Sequence, residues 1–289
     1  MATGVVRTFG IGAVVARAAL SWIRHDPRAG ELHRTNFHGR TVTLAGGPAL
    51  AAGATLAAAL GAPGPAAAAA AVTAGTAAGA VGFYDDIVGA RPEQKAAKGF
   101  AGHLAALRDG RVTSGLVKIA GVGAAGLAAA SLLAADPRVR AHPRRRGAGV
   151  AGRVTDVLLG AGVVAGTANL INLLDLRPGR AIKASVLIGA PLAVGRGAGL
   201  ATGPLGAGAA LLPADLGEEI MLGDAGANAL GALLGVALIA RTGPAGRAVA
   251  LTVLAALTAA SEKVSFTKVI QDTPALRALD LLGRRPSTP

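Results

Sequence analysis

The chain contains no cysteine, which excludes disulfides, thiolate metal sites and cysteine nucleophiles. Aromatic residues are only 2% of it, with one Trp, one Tyr and five Phe, so there is almost nothing on which nucleic-acid bases could stack. The formal net charge of +13 would otherwise invite that reading, but it needs a solvated basic domain with stacking platforms. No nucleic-acid partner is therefore expected. Charged residues are scarce as well, at 16% of 289 residues, whereas a soluble globular domain carries about 25%. The chain is too apolar for an ordinary soluble enzyme and too rich in Leu, Val and Ala for a disordered one.

What is abundant is small and apolar. Hydrophobic residues make up 52%, Gly alone contributes 43, and the mean hydropathy is +0.51. Small residues let helices approach closely in lipid, where no hydrophobic force drives them together. Apolar stretches recur along the whole chain, and short segments between them hold nearly all the Arg, Lys, Asp, Glu and Pro. This pattern predicts an all-α polytopic membrane helical bundle of about nine to ten transmembrane helices. The spans are expected near 9–23, 42–60, 66–84, 115–135, 154–174, 181–194, 200–212, 225–239 and 249–260. Residues 1–289 read as a single integral membrane domain, with 262–289 as a cytoplasmic C-terminal segment. Arg7 and Arg17 interrupt the first apolar stretch and no clean cleavage pattern follows, so no removable signal peptide is expected.

Loop charge sets the orientation. With the N-terminus outside, eighteen Lys and Arg residues fall in inner loops and nine in outer ones, the bias expected of cytoplasmic loops. The run RVRAHPRRRG at 138–147 lies on the outer side and goes against it.

Four acids abut apolar segments: Asp85, Asp86, Asp175 and Asp224. A carboxylate at membrane depth costs several kcal/mol, so such acids mark functional sites by default. Under the nine-span count all four share the cytoplasmic side, and this rests on parity rather than on the precise ends of the spans. Adjacent helical residues point about 100° apart, so of Asp85 and Asp86 one is expected to face a metal or a reacting phosphate and the other a neighbouring cation. Oxygen ligands without Cys or clustered His favour a hard ion such as Mg²⁺. The basic segment after Asp86 offers Lys98 and Lys118 for phosphates and His103 as a donor; the orientation rule alone would also make it basic. Gly46 and Gly47 permit a close backbone approach to a ligand.

Four motifs, TLAGG at 43–47, FYDDIVG at 83–89, NLINLLD at 169–175 and MLGDAGANALG at 221–231, together resemble the polyprenyl-phosphate N-acetylhexosamine-1-phosphate transferases. This superfamily includes phospho-N-acetylmuramoyl-pentapeptide transferase. The resemblance covers roughly residues 34–262 in the family's order. It implies a multi-pass enzyme of the inner (plasma) membrane with a cytoplasmic active site, moving a sugar 1-phosphate from a UDP-sugar to polyprenyl phosphate with Mg²⁺ and releasing UMP, in cell-envelope glycan assembly. It implies Asp224 as the foremost metal ligand, with Asp85 beside it, and Asp85, Asp86 and Asp224 as the catalytic acids. Asn169, Asn172 and Asp175 correspond to the stretch bordering the nucleotide, and Lys98 and Lys118 to phosphate-contacting regions.

The chain departs from the family in three places. Arg177 and Arg180 stand where an acid commonly follows, and they are expected to meet a diphosphate or a more acidic sugar. The C-terminal segment 262–286 has no His, where the family has a His-containing loop. The chain is also at least one span short. Expected partners are polyprenyl phosphate, a nucleotide sugar and membrane lipids, with a homodimer left open. The alternative is a non-catalytic relative that binds polyprenyl phosphate or an envelope-synthesis partner; a transporter or flippase ranks third.

Overall fold

The structure is a computed structural model describing residues 2–94, 99–136, 149–195 and 197–285. The basic run at 138–147 lies outside the described residues. Among those described the chain forms α1 (Ala2–Arg24), a two-stranded hairpin β1 (His33–Thr35) and β2 (Thr41–Thr43), α2 (Gly46–Leu60), α3 (Pro65–Val88), α4 (Gly99–Arg108) and α5 (Ser114–Ala135). There follow α6 (Val150–Leu174), α7 (Arg180–Gly189), α8 (Gly199–Leu216), α9 (Gly223–Arg241), α10 (Pro244–Ser261), α11 (Phe266–Asp272) and α12 (Pro274–Leu281).

The expected all-α bundle is present, and a helix underlies each expected span. Six of them, α1, α3, α5, α6, α9 and α10, are long and apolar enough to cross a membrane. The other three fall short for visible reasons. Helix α2 has only 15 residues, because Val42 and Thr43, counted into the span by hydropathy, pair instead with Arg34 and His33 in the hairpin. Helix α7 has 10 residues and continues into a 3₁₀ turn at Ala190–Leu192, where Pro191 removes an amide donor. Helix α8 carries Pro204 and Pro213 inside it and Asp215 near its end.

Local chemistry sets several ends. The Thr113 hydroxyl accepts from the Leu116 amide at 3.2 Å and caps α5, while α3 and α10 start on Pro65 and Pro244, where a missing amide costs nothing. Helix α9 is the axis of the bundle, with nearly all of its side chains buried, and it packs chiefly on α3 and α6. The packing is backbone-close. A methyl on Gly235 would stand 2.7 Å from the Cα of Val164 in α6, and one on Gly82 of α3 would stand 2.8 Å from the Ala225 amide nitrogen. These glycines let α9 sit low between its neighbours.

The helices alternate in direction, so that the end of α3, the start of α5, the end of α6 and the start of α9 come to one end of the bundle. The hairpin lies at that end too. Thr43 bridges Ile220, with the Thr43 amide donating to the Glu219 carbonyl at 3.2 Å and the Met221 amide to the Thr43 carbonyl at 3.0 Å. The segments TLAGG and MLGDAG are thus stitched together. Gly46 and Gly47 do make the close approach expected of them, but to the carbonyls of Met221 and Leu222 and so to the chain's own backbone.

Candidate functional site

At this end three acids and a lysine converge from three helices. Lys118, one turn into α5, places Nζ 2.7 Å from Asp85 Oδ2 of α3 and 2.5 Å from Asp224 Oδ2 of α9. One ammonium therefore joins two carboxylates. Asn172, in the last turn of α6, donates from Nδ2 to the other Asp224 oxygen at 2.5 Å, which fixes the rotation of that carboxyl. The Ser114 hydroxyl, in the first turn of α5, lies beside Asp85. These side chains are only partly buried, 14% exposed for Asp85, 21% for Lys118 and 25% for Asp224, so the cluster is partly open to solvent.

Asp86 points elsewhere. Its two oxygens accept from the backbone amides of Asp224 and Ala225, each at 2.9 Å. The first amides of a helix have no partner within it, and here a carboxylate from a neighbouring helix supplies one. Asp175, just past α6, lies beside the next amide, that of Gly223. Burial, then the nearby charges of Asp215, Asp224 and Asp86, push its carboxyl well above the ordinary carboxylate range, against the pull of that amide. Two acids thus lie at the start of α9 and two face Lys118. The division differs from the expected one: Asp86 meets backbone N–H groups, not a side-chain cation.

The remaining sequence-predicted residues lie apart from this cluster. His103 of α4 bonds through Nδ1 to Thr113 Oγ1 at 2.8 Å. Asn169 donates to Thr258 Oγ1 of α10 at 3.0 Å, tying two helices together. Arg177 lies over the Phe37 ring of the hairpin at 4.2 Å. Arg180 is buried to 4% exposure, with its guanidinium bonded to both Asp280 oxygens of α12 at 2.8 and 3.1 Å. It holds the C-terminal segment and does not face the acids. Lys98 lies outside the described residues.

The sequence reading missed three polar networks. Asp280 also accepts from Arg284 at 2.6 Å, while the Lys183 ammonium donates to the carbonyls of Leu279, Asp280 and Leu282. Glu218, at a left-handed φ of 54°, accepts from Asn36 at 2.5 Å and bonds His38 Nδ1 at 3.0 Å, clasping the hairpin. At the far end Arg247 of α10 is fully buried, 2.9 Å from Asp156 Oδ1 of α6. Asp156 inside the expected span 154–174, with Arg247 just before the last one, was the available signal for that pair, since buried charges need partners.

The donor set bears on Mg²⁺. Among the described residues no group of three or more His, Asp or Glu is arranged to hold a metal, so there is no closed protein cage. Two carboxylates sharing one lysine and partly open to solvent do fit an ion that takes most of its oxygen ligands from phosphates and water, as Mg²⁺ usually does. Comparison with protein-family models and with curated proteins finds no match to this chain.

Proposed function

We propose that the chain is a Mg²⁺-dependent enzyme that transfers a sugar 1-phosphate from a UDP-sugar to polyprenyl phosphate at the cytoplasmic membrane face, as a divergent relative of the polyprenyl-phosphate N-acetylhexosamine-1-phosphate transferases. The observation that carries this reading is the meeting of Asp85, Asp224 and Lys118, from three separate motifs and helices, at one end of an apolar bundle. The loop charge bias supports the cytoplasmic assignment of that end, and six helices long and apolar enough to cross a membrane support a multi-pass topology.

In the reaction an oxygen of the lipid phosphate bonds to the sugar-bearing phosphorus of the nucleotide sugar, and the bond from that phosphorus to UMP breaks, with UMP leaving on the bridging oxygen. Such transfers need positioning and charge neutralisation more than covalent help. Asp85 and Asp224 would hold Mg²⁺, which when bound neutralises the diphosphate. Lys118 contributes a cation that moves from the carboxylates to phosphate oxygens. Asn172 fixes the rotation of the Asp224 carboxyl, and Asp86 fixes the start of α9, hence the position of Asp224. The lipid phosphate is already anionic near neutral pH, so no strong base is required.

A second reading, a non-catalytic binder of polyprenyl phosphate, is favoured by one observation: Lys118 already pairs with both acids. The test uses purified protein with undecaprenyl phosphate and a panel of UDP-sugars, following UMP release. Mg²⁺-dependent UMP release with formation of the lipid-linked sugar supports the enzyme. Lipid binding with no release from any donor favours the binder.

A further inference from the structure

A polar recess lies at the same end of the bundle, away from the acids, between α1 and α8. The two helices touch backbone to backbone lower down. Gly12 lies against the Gly203 carbonyl, and a methyl on Gly206 would overlap the Phe9 backbone. Toward the Arg24 end they part, leaving a cavity of about 470 Å³ lined by Arg17, Ser21 and Arg24 of α1 and His25 just past it, with Ala214 of α8 and Glu219 among the facing residues. Arg17, Ser21, Arg24 and His25 recur at i, i+4, i+7 and i+8, which is one face of a helix.

The charge there is unbalanced. Among the described residues Glu219 is the only carboxylate lining the cavity, and it lies 3.4 Å from Arg24. Arg17 makes no hydrogen bond or ion pair among the described residues. It sits seven residues before Arg24, about 10 Å down the helix axis, within a segment apolar enough to cross a membrane. A cation at that depth without a protein partner requires an anion or water. The surroundings of Arg17 are apolar: Val14, one turn further in, is 68% exposed, and Trp22, at the level where indole rings anchor to the interface, is 75% exposed.

We propose that this cavity seats the phosphate of an anionic phospholipid, with Arg17 and Arg24 as anchors and the acyl chains along the exposed flank of α1. A free phosphate ion would have no use for that flank, and a zwitterionic lipid would bring its own cation toward the arginines. The site binds membrane lipid as a structural ligand, and its readout does not depend on any transfer reaction.

The full chain in neutral detergent, titrated with dioctanoyl phosphatidylglycerol and followed by thermal melting, tests this. A saturable rise in Tm is expected, with none from dioctanoyl phosphatidylcholine or inorganic phosphate. A basic residue near an anionic headgroup is worth about 1 kcal/mol, so Arg17→Gln should weaken the apparent affinity about fivefold, and with Arg24→Gln about 25-fold. Arg7→Gln, at the opposite end of α1, should leave it unchanged. If the double variant fails to fold, Arg17→Gln alone, at an exposed position, carries the test. An equal rise with phosphatidylcholine or with inorganic phosphate, or wild-type affinity in the Arg17 variant, overturns the proposal.

Discussion

Replacing Asp86 by Asn separates a structural acid from a reacting one. Both Asp86 oxygens accept from backbone amides of α9, at 2.9 Å each. Asparagine keeps the shape but offers one acceptor oxygen; its amide group is a donor, and in this position it would point at a second donor. Losing a side-chain cap costs about 0.5–2 kcal/mol, and a hydrogen bond to a charged group is worth about 1.5–3 kcal/mol. With one of two bonds kept and the carboxylate's desolvation relieved, about 1–2 kcal/mol of destabilisation is expected. The corresponding fall in Tm is about 2–8 °C, taking about 2–4 °C per kcal/mol for a chain of this size class. Circular dichroism at helix wavelengths suits the measurement, since the sole Trp, Trp22, lies on α1 and reports poorly on α9. Asp85→Asn is the control, because Asp85 caps no helix and the amide oxygen can still face Lys118. An Asp86→Asn protein that melts with wild type, while Asp85→Asn melts lower, would refute the capping argument.

Three further expectations follow from the same geometry. Lys118→Met leaves Asp85 and Asp224 facing one another without their shared cation, and should lower UMP release about 100-fold, the scale for one lost electrostatic contact to a developing charge; an active Lys118→Met enzyme would remove Lys118 from the mechanism. Gly82→Ala puts a methyl 2.5 Å from the Asp224 carbonyl carbon, where overpacking costs about 1–3 kcal/mol, and both the melt and turnover should fall because α3 and α9 must part; an unchanged melt would show that these helices are not held that closely. Burial raises the Asp280 carboxyl, but the hydrogen bonds and charges of Arg180 and Arg284 more than offset it and hold it below its usual value. Docking of the C-terminal segment is therefore fully supported above about pH 4, the ordinary carboxylate range, and is lost as the pH falls through the lowered value; limited proteolysis with an acid-active protease should find 262–285 protected at pH 5 and cut at pH 2, and equal cutting at both would count against the latch.

Hydropathy and small-residue content made the helical bundle legible in the sequence, because in lipid the backbone must satisfy itself and few architectures allow that. Parity brought the acids to one end. It could not tell that Val42 and Thr43 belong to a hairpin, since a β-branched apolar pair adds to a hydropathy window whichever structure it adopts. Nor could it divide the acids: Asp85 and Asp86 differ by one helical step, and only the position of α9 decides which meets a lysine and which meets backbone amides. Arg177 and Arg180 misled for a related reason. Their place in the motif suggested a phosphate, but their partners, Phe37 and Asp280, lie about 100 or more residues away in sequence, where local pattern carries no information.

The arrangement around α9 also limits how phosphate can be bound here. A free helix N-terminus is a natural anion site, since its first amides are unpaired and its dipole is positive. In this chain Asp86 accepts from the amides of Asp224 and Ala225 and Asp175 lies beside that of Gly223, so this terminus is already covered by the protein's own carboxyl groups. A substrate phosphate cannot use it without displacing a carboxylate. Neutralisation then falls to Lys118, the cation that faces Asp224 among the described residues, and to an ion held by Asp85 and Asp224. Under the proposed reaction, Asp175→Asn should consequently alter the melt more than turnover, whereas Asp224→Asn should do the reverse. If Asp175→Asn abolished UMP release at an unchanged Tm, the nucleotide would have to bind at the start of α9, and the division of the four acids into two caps and two ligands would be wrong.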